Sequence, residues 1–267
     1  MSHEQEVRLL LIIVAFHPGE EEVEALATCL AQLSPWISYV VVANDHREGE
    51  PVDRLVEGAG LFLSCERNLG YGRAVNRAVR EVERRSCLPE WIGALNTDLS
   101  WTPGSFEALL AWLEGQADVS LAVPRITDPA GQSQLLCKQD PTLLGLLSRR
   151  FLPEFLKPAG LRLYDRRYVM ADQDLHAVFE VPYLSGCCML IRTSSFLAVG
   201  GFDERYFLYL EDADLTRRLR EHGRTVHLPV ASVVHAWGRG NYRSLRLTLV
   251  NLHSASIYFR TWGFRWR

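Results

Sequence analysis

At 267 residues, with 48% hydrophobic and 23% charged side chains, the chain can bury a full core and is sized for one large α/β domain or two small ones. A formal net charge of −3 excludes a general nucleic-acid binder, and no linker rich in Gly, Ser or Pro divides the sequence. The average conceals an asymmetry: after Glu221 there are seven Arg and no Asp or Glu, which points to an anionic partner at that end.

In chain order, VRLLLIIVAF (7–16) is continuously apolar, as in a strand buried on both faces. Glu4 and Glu6 precede it where a signal peptide would carry basic residues, and it is too short to span a bilayer. EEEVEALATCLAQL (20–33) sets Val23, Leu26, Leu30 and Leu33 on one helical stripe, with acids in its first turn. Strands follow at 37–45, 61–65 and 91–95. Between the last two, NLGYGRAVNRAVREVERR is a helix with Val75, Val79 and Val82 on one face. SFEALLAWLEG is helical and DVSLAVP is a further strand. Such alternation predicts an α/β fold with an open, mainly parallel sheet flanked by helices. Ligands of these sheets lie beyond the carboxyl ends of the strands. Here those ends are Phe16-His17, Asn44-Asp45, Arg67-Asn68 and Asn96-Thr97-Asp98, which would line one crevice.

From about 125 to 180 the pattern breaks, and the segment reads as an insertion beside the site or a mobile loop. Regular structure resumes at VPYLSGCCMLIR (181–192). Cys29, Cys65, Cys87, Cys137, Cys187 and Cys188 show neither C-x-x-C spacing nor a disulfide framework, so they read as reduced thiols of a cytosolic protein.

Four motifs could carry chemistry, each beside a plainer reading. In RNLGYGRAVNRA (67–78), Gly70 and Gly72 have G-x-G spacing, but Val75 stands at the third glycine, so a dinucleotide fingerprint is weak. Small residues at a helix start let an anionic ligand approach the backbone, with Arg67 and Arg73 adding charge; tight packing explains the glycines equally. Asp98 can hold a divalent cation or cap the turn before Pro103. His235, beside Trp237, is a structural group unless a partner makes it a ligand. The acidic stretch FDERYFLYLEDADLTRRLREHG (202–223) gathers Asp203, Glu204, Glu211, Asp212 and Asp214 beside Phe202, Tyr206, Phe207 and Tyr209. Leu215 and Leu219 share a stripe and Gly223 suits a helix end, so the helix begins near Glu211 or Asp212. At that end the dipole favours an ionised carboxylate, serving as a cap or as a general base. Asp214 reads as structural.

GGFDERYFLYLEDADLTRRLREHG with VHLPVASVVHAWG, NLGYGRAVNRA and LNTD resembles the inverting glycosyltransferases of family two, which have the GT-A fold, in their bacterial rhamnosyltransferase-like branch. The likeness spans roughly residues 8 to 262. It implies a nucleotide-sugar-binding half (7–124), an acceptor and catalytic half (125–240) and a basic amphipathic C-terminal helix (241–267). Phe16, Asn44, Arg67, Asn68 and Gly70 would line the nucleotide pocket, Asn76 would fix its loop, and Asn96 and Asp98 would complete the donor site. Asp98 and His235 would hold Mg²⁺ or Mn²⁺ at the diphosphate, and Asp212, with Glu211 beside it, would supply the base. Two departures stand out: Asn96 replaces an acid, and VANDH (42–46) replaces the commoner V-D-N-x-S.

The resemblance implies dTDP-L-rhamnose as the donor and a hydroxyl of a cell-surface or lipid-linked glycan as the acceptor. A UDP- or GDP-sugar donor and a non-catalytic glycan-binding relative are the alternatives. A nucleotidyltransferase would need a glycine-rich basic loop after its first strand, whereas AFHPGEEEVEAL is acidic with one Gly. In the C-terminal helix, Leu245, Leu249, Leu252 and Tyr258 read as one stripe. Arg243, Arg246, Arg260, Arg265 and Arg267 with Trp262 and Trp266 suit peripheral contact with the anionic inner face of a plasma membrane. The alternative is a helix packed on the catalytic domain.

Overall fold

A computed structural model describes residues 6–236 and 244–267; Glu4, Trp237 and Arg243 lie outside them. The first half runs β1 (Leu9–Ala15), α1 (Glu20–Leu30), β2 (Ile37–Ala43), β3 (Leu61–Ser64), α2 (Tyr71–Arg85), β4 (Trp91–Asn96), β5 (Leu99–Trp101), α3 (Ser105–Glu114) and β6 (Val119–Thr127). The second runs β7 (Cys137–Lys138), α4 (Leu143–Phe151), α5 (Ala159–Tyr168), β8 (Phe179–Glu180), β9 (Tyr183–Leu184), β10 (Cys188–Arg192), α6 (Thr193–Ala198), α7 (Glu211–Leu219), β11 (Arg224–His235) and α8 (Leu245–Trp262).

The apolar runs become the centre of a nine-stranded sheet in the order β3-β2-β1-β4-β10-β6-β11-β5, with β8 added beside β11. Strands β3, β2, β1 and β4 are parallel, β10 is antiparallel to both its neighbours, and β11 again runs parallel to β6. Every residue of β1 is buried, which is why its sequence has no polar alternation. Helix α1 covers the sheet with Val23, Leu26 and Leu30, and α2 with Ala74, Val75, Ala78 and Val79. Each large apolar side chain buried in this way contributes about 1.5–3 kcal/mol.

Two features of the register position the site. Ala15 is opposite Ala43, which is opposite Ser64, and Val14 is opposite Asn96, so the four polar strand ends stand side by side on one edge. After Asp98 the chain crosses directly to β5, where Leu99 pairs with His235. The Ala236 N–H donates to the Asp98 carbonyl at 2.9 Å, which fastens the two loops together.

Residues 125–180 hold the end of β6, the short strands β7 and β8 and two short helices joined by turns, so the segment is not one long loop. Thr142 caps α4 by accepting from the Gly145 N–H at 3.1 Å. Asp165 on α5 takes the Ser148 hydroxyl at 2.7 Å and the buried Lys157 ammonium at 2.6 Å. The periodicity was illegible because residues 151–156 between these helices are all exposed, although four of them are large and apolar.

In α8 the expected four-residue stripe does not exist. Tyr258 is buried, while Leu245, Leu249 and Leu252 are 82%, 68% and 47% exposed. At 3.6 residues per turn, Tyr258 lies about 220° around the helix from Leu245. The inner face, Ser254, Ala255 and Tyr258, packs beside Tyr183, Tyr206, Leu210 and Ala213. Trp262 likewise turns inward, donating to Asp214 at 2.8 Å with Arg217 stacked 4.4 Å over its ring. The packed-helix alternative therefore holds for one face, and the leucine face points outward. Among the described residues, no helix is long and apolar enough to cross a membrane.

Candidate functional site

Five acids and their aromatic neighbours in the 202–223 stretch sort themselves by partner. Phe202 and Tyr206 are core residues. Asp203 pairs with Arg205, Glu204 with Arg80, and Asp214 with Arg218. Glu211 and Asp212 have no ion-pair partner among the described residues. They occupy the first turn of α7, which the chain enters through two successive left-handed residues, Tyr209 (φ 69°) and Leu210 (φ 64°). Such conformations cost about 1–3 kcal/mol each outside glycine, and they persist here because Leu210 is locked into the packing under α8.

Neutral donors orient the Asp212 carboxylate. Its Oδ1 accepts from the Tyr183 hydroxyl at 3.1 Å and the Ala213 N–H at 2.9 Å; Oδ2 accepts from the Gly186 N–H at 2.9 Å. Gly186 is held in turn by the Tyr71 hydroxyl, which donates to its carbonyl at 2.8 Å. A Cβ on Gly186 would sit 3.1 Å from Asp212 Cβ, so a larger residue would push the carboxylate away. Half-buried Lys138 lies over the Tyr183 ring at 4.6 Å. Burial pulls its ammonium below the ordinary lysine range, while the charge of Asp212 works against that shift. Tyr71, Lys138, Tyr183 and Gly186 escaped the sequence reading. Gly186, sitting between a serine and an apolar strand, carried a signal of close backbone approach; Lys138 lay where periodicity was lost and carried none.

Glu211 is the complement of Asp212. It is buried and its Oε2 has no hydrogen-bond partner among the described residues. Burial first, and the adjacent Asp212 second, push its carboxyl from 4.5 to about 8, so it stays protonated at neutral pH. Glu211 therefore adds no charge to the head of α7 at neutral pH. Because the folded form holds a proton that the unfolded chain releases, stability should fall as pH rises from about 4.5 to about 8. Glu211→Gln, which mimics the protonated acid, is expected to flatten that slope in thermal melts run at pH 5, 6.5 and 8. An unchanged slope would mean that the acid is already ionised in the fold.

At the other end of the site, Asp98 Oδ2 lies 3.1 Å from His235 Nε2. His235 Nδ1 meets Gln134 Oε1 at 3.1 Å, and the Gln134 amide donates to the His235 carbonyl at 2.8 Å, which fixes the ring. Asp98 Oδ1 is buried with no hydrogen-bond partner among the described residues. Among those residues no three His, Cys, Asp or Glu side chains converge on one point. A two-ligand set with an unsatisfied carboxylate oxygen fits an ion whose remaining positions come from phosphate and water, as Mg²⁺ takes them. The two ends share a neighbour. Cys187, whose carbonyl accepts from the Asn96 N–H at 3.0 Å, is pushed up to about 12 by burial, then by Asp98, with Asp212 adding to the shift. Asp98 and Asp212 therefore act on one thiol.

The remaining candidates divide into two groups. Phe16, half exposed, and His17 end β1, with His17 bonded to Glu50 at 2.7 Å and Asp45 at 3.3 Å. His17 and Asp45 are both left-handed, at φ 48° and 53°. Buried Asn44 accepts from the Leu69 N–H at 3.3 Å, and Asn68 from the Gly70 N–H at 2.8 Å, so β2 and the turn before α2 are tied together beside exposed Arg67. Asn76 stands apart and brackets the Phe202 backbone, donating to its carbonyl at 2.8 Å and accepting from its N–H at 2.9 Å. A Cβ on Gly70 (φ 85°) would meet the Phe207 carbonyl at 2.2 Å, and one on Gly72 would meet Phe202 Cβ at 2.7 Å. The close approach these glycines permit is made by the chain's own 202–207 segment.

Solved structures share this architecture. GalNAc-T7 with UDP, GalNAc and Mn²⁺ superposes with a TM-score of 0.64 at 14% identity, over 97% of this chain and 48% of that one. The mannosyltransferase PcManGT of Pyrobaculum calidifontis with GDP-Man and Mn²⁺ gives 0.59 at 15%, over 96% and 64%. S. aureus TarS 1–349 with UDP gives 0.55 at 14%, over 85% and 60%. The chain thus spans about half to two thirds of their lengths, and its fold is the α/β GT-A glycosyltransferase fold. Residues 7–249 match the family described as glycosyltransferase like family 2, and the chain belongs to that family. Among curated relatives, N-acetylglucosaminyl-diphospho-decaprenol L-rhamnosyltransferase of Mycobacterium tuberculosis (strain ATCC 25618 / H37Rv) is 29% identical over 260 residues, 94% of this chain and 83% of that one. Rhamnosyltransferase WbbL of Escherichia coli (strain K12) is 43% identical over 233 residues, 85% and 83% of the two chains.

Proposed function

We propose that this glycosyltransferase moves L-rhamnose from dTDP-L-rhamnose to a hydroxyl of a lipid-linked glycan in one inverting displacement. The observation that carries the reading is Asp212, a carboxylate held by three neutral donors at a helix N-terminus beside a protonated Glu211. As the acceptor oxygen attacks the anomeric carbon, the bond from that carbon to the diphosphate breaks and Asp212 receives the hydroxyl proton. A single base on the acceptor side suffices, unlike hydrolysis by glycosidases, which uses a carboxylate pair. Residues 7–124 would bind the donor and 125–240 the acceptor. Asp98 and His235 would hold the divalent cation, which when bound offsets the charge that develops on the leaving diphosphate. Rhamnose is supported by the names of both curated relatives, a lipid carrier by the mycobacterial one, and the cation by the Mn²⁺ in two of the structural neighbours.

Thermal melts with dTDP, UDP and GDP, each with and without Mn²⁺, test this reading. A nucleotide at a hundred times its Kd adds about 2.7 kcal/mol, a rise in Tm of roughly 5–10 °C for a chain of this size. The largest rise is expected for dTDP with Mn²⁺, and Asp98→Ala should lose the Mn²⁺-dependent part. A preference for UDP or GDP would replace the donor, and silence with all three would overturn the transferase reading.

A further inference from the structure

Away from the crevice, one face of the molecule carries two exposed apolar elements. Between α4 and α5, Phe151, Leu152, Phe155 and Leu156 are 52%, 38%, 81% and 62% exposed. This turn is fixed at its base, because Lys157 is buried against Asp165 at 2.6 Å and Glu154 at 3.0 Å, so the apolar tip is held outward. Helix α8 presents Leu245, Leu249 and Leu252 on the face opposite its packed side. The two elements are neighbours: Arg150 Nη2 donates to Thr248 Oγ1 at 2.6 Å, and the Leu143 and Leu144 N–H groups donate to the Arg265 and Trp266 carbonyls. A soluble surface gains nothing by holding seven large apolar side chains in water, and such patches mark contact sites.

Charge identifies the occupant. Residues 140–172 and 244–267 contain ten Lys and Arg against four acids, a net of +6 in a chain whose total is −3. All four acids are already paired: Glu154 and Asp165 with Lys157, Asp172 with Arg166, and Asp140 with Arg265 and Arg220. A second copy docked on this face would set +6 against +6, whereas an anionic bilayer is its complement. An apolar stripe flanked by arginines is also the pattern of helices that lie in a lipid interface.

We propose that the 151–156 turn and the outer leucine face of α8 form one surface that seats the enzyme on an anionic lipid bilayer. The inner face of the same helix packs on Leu210 and Ala213, the residues flanking Glu211 and Asp212. Docking therefore orients the candidate base with respect to the membrane, where the glycan of a lipid-anchored acceptor would stand. The inference deepens the proposed function through that acceptor, but lipid binding is read without any sugar substrate, so the two can fail separately.

Flotation of the full chain with vesicles of phosphatidylcholine alone, or of phosphatidylcholine with 30–40% phosphatidylglycerol as roughly the charge of an anionic leaflet, tests it. Binding is expected only to the anionic vesicles and should weaken with salt. Phe155→Ser with Leu156→Ser, and separately Leu245→Ser with Leu249→Ser, should each weaken partitioning about tenfold or more, since each removes two insertable side chains. Exposure at these sites lets both variants keep the melting temperature and the nucleotide response of the parent. Three results would overturn the surface: no binding to anionic vesicles, binding that salt abolishes but the serine variants leave unchanged, or a concentration-dependent dimer in sedimentation that the same variants dissolve.

Discussion

Asp212→Asn should lower kcat by about 10²–10⁴-fold while leaving donor affinity within about twofold, because a positioned general base contributes that range. The loss corresponds to about 2.7–5.5 kcal/mol of barrier. The amide keeps the shape of the carboxylate and can still accept from Tyr183, but it cannot take the acceptor proton. Its NH₂ would also face the Gly186 N–H, now 2.9 Å from Oδ2, and an unmatched donor pair costs about 1–3 kcal/mol. Transfer should therefore be measured well below the variant's own melting temperature, with dTDP titrated by calorimetry in parallel. Activity within tenfold of the parent would place the base elsewhere. Activity and nucleotide binding lost together would mean that the substitution collapsed the site, and then the proton-accepting role would have no support from this variant.

What the sequence disclosed follows from how local each cause is. Strands β1, β2 and β4 and helix α2 were legible because an unbroken apolar run or a 3.6-residue stripe needs only neighbours in sequence. The start of α7 was legible for the same reason, as Leu215 and Leu219 fixed its phase. The contact between Asp98 and His235 was legible through the family resemblance alone, since it joins residues 137 positions apart through the pairing of β5 with β11. Tyr183, Gly186 and Tyr71 around Asp212 were not legible: each contributes one polar atom whose target is set by chain crossings. In α8, apolar residues on two faces defeated the stripe reading, because periodicity alone does not say which face meets protein. Gly70 and Gly72 left ligand approach and tight packing equally open, because nothing local could say that the atom nearest Gly70 is the Phe207 carbonyl.

Asp214→Ala is the substitution with the largest expected effect on stability, about 3–5 kcal/mol and a fall in Tm of roughly 6–20 °C. Asp214 is 1% exposed, and its Oδ2 accepts from Arg218 Nε at 2.9 Å and Nη2 at 2.7 Å, while Oδ1 accepts from the Trp262 indole at 2.8 Å. Arg218 cannot swing into water when its partner is removed, because its Nη1 is also bonded to the Val199 and Gly201 carbonyls at 2.9 and 2.7 Å. An uncompensated guanidinium is left beneath α7, and α8 loses the hydrogen bond that ties Trp262 to α7. Asp214→Asn, which keeps an acceptor for one of these donors, should cost less. Urea unfolding gives the magnitude, and hydrogen exchange across 245–262 reads the loosening of α8, which should exceed that of β1. A loss below about 1 kcal/mol would show that Arg218 is adequately solvated without its carboxylate. Asp214 lies two positions after Asp212, so the same variant should lower transfer through misplacement of the first turn, and cooling should recover part of it, which no temperature can do for Asp212→Asn.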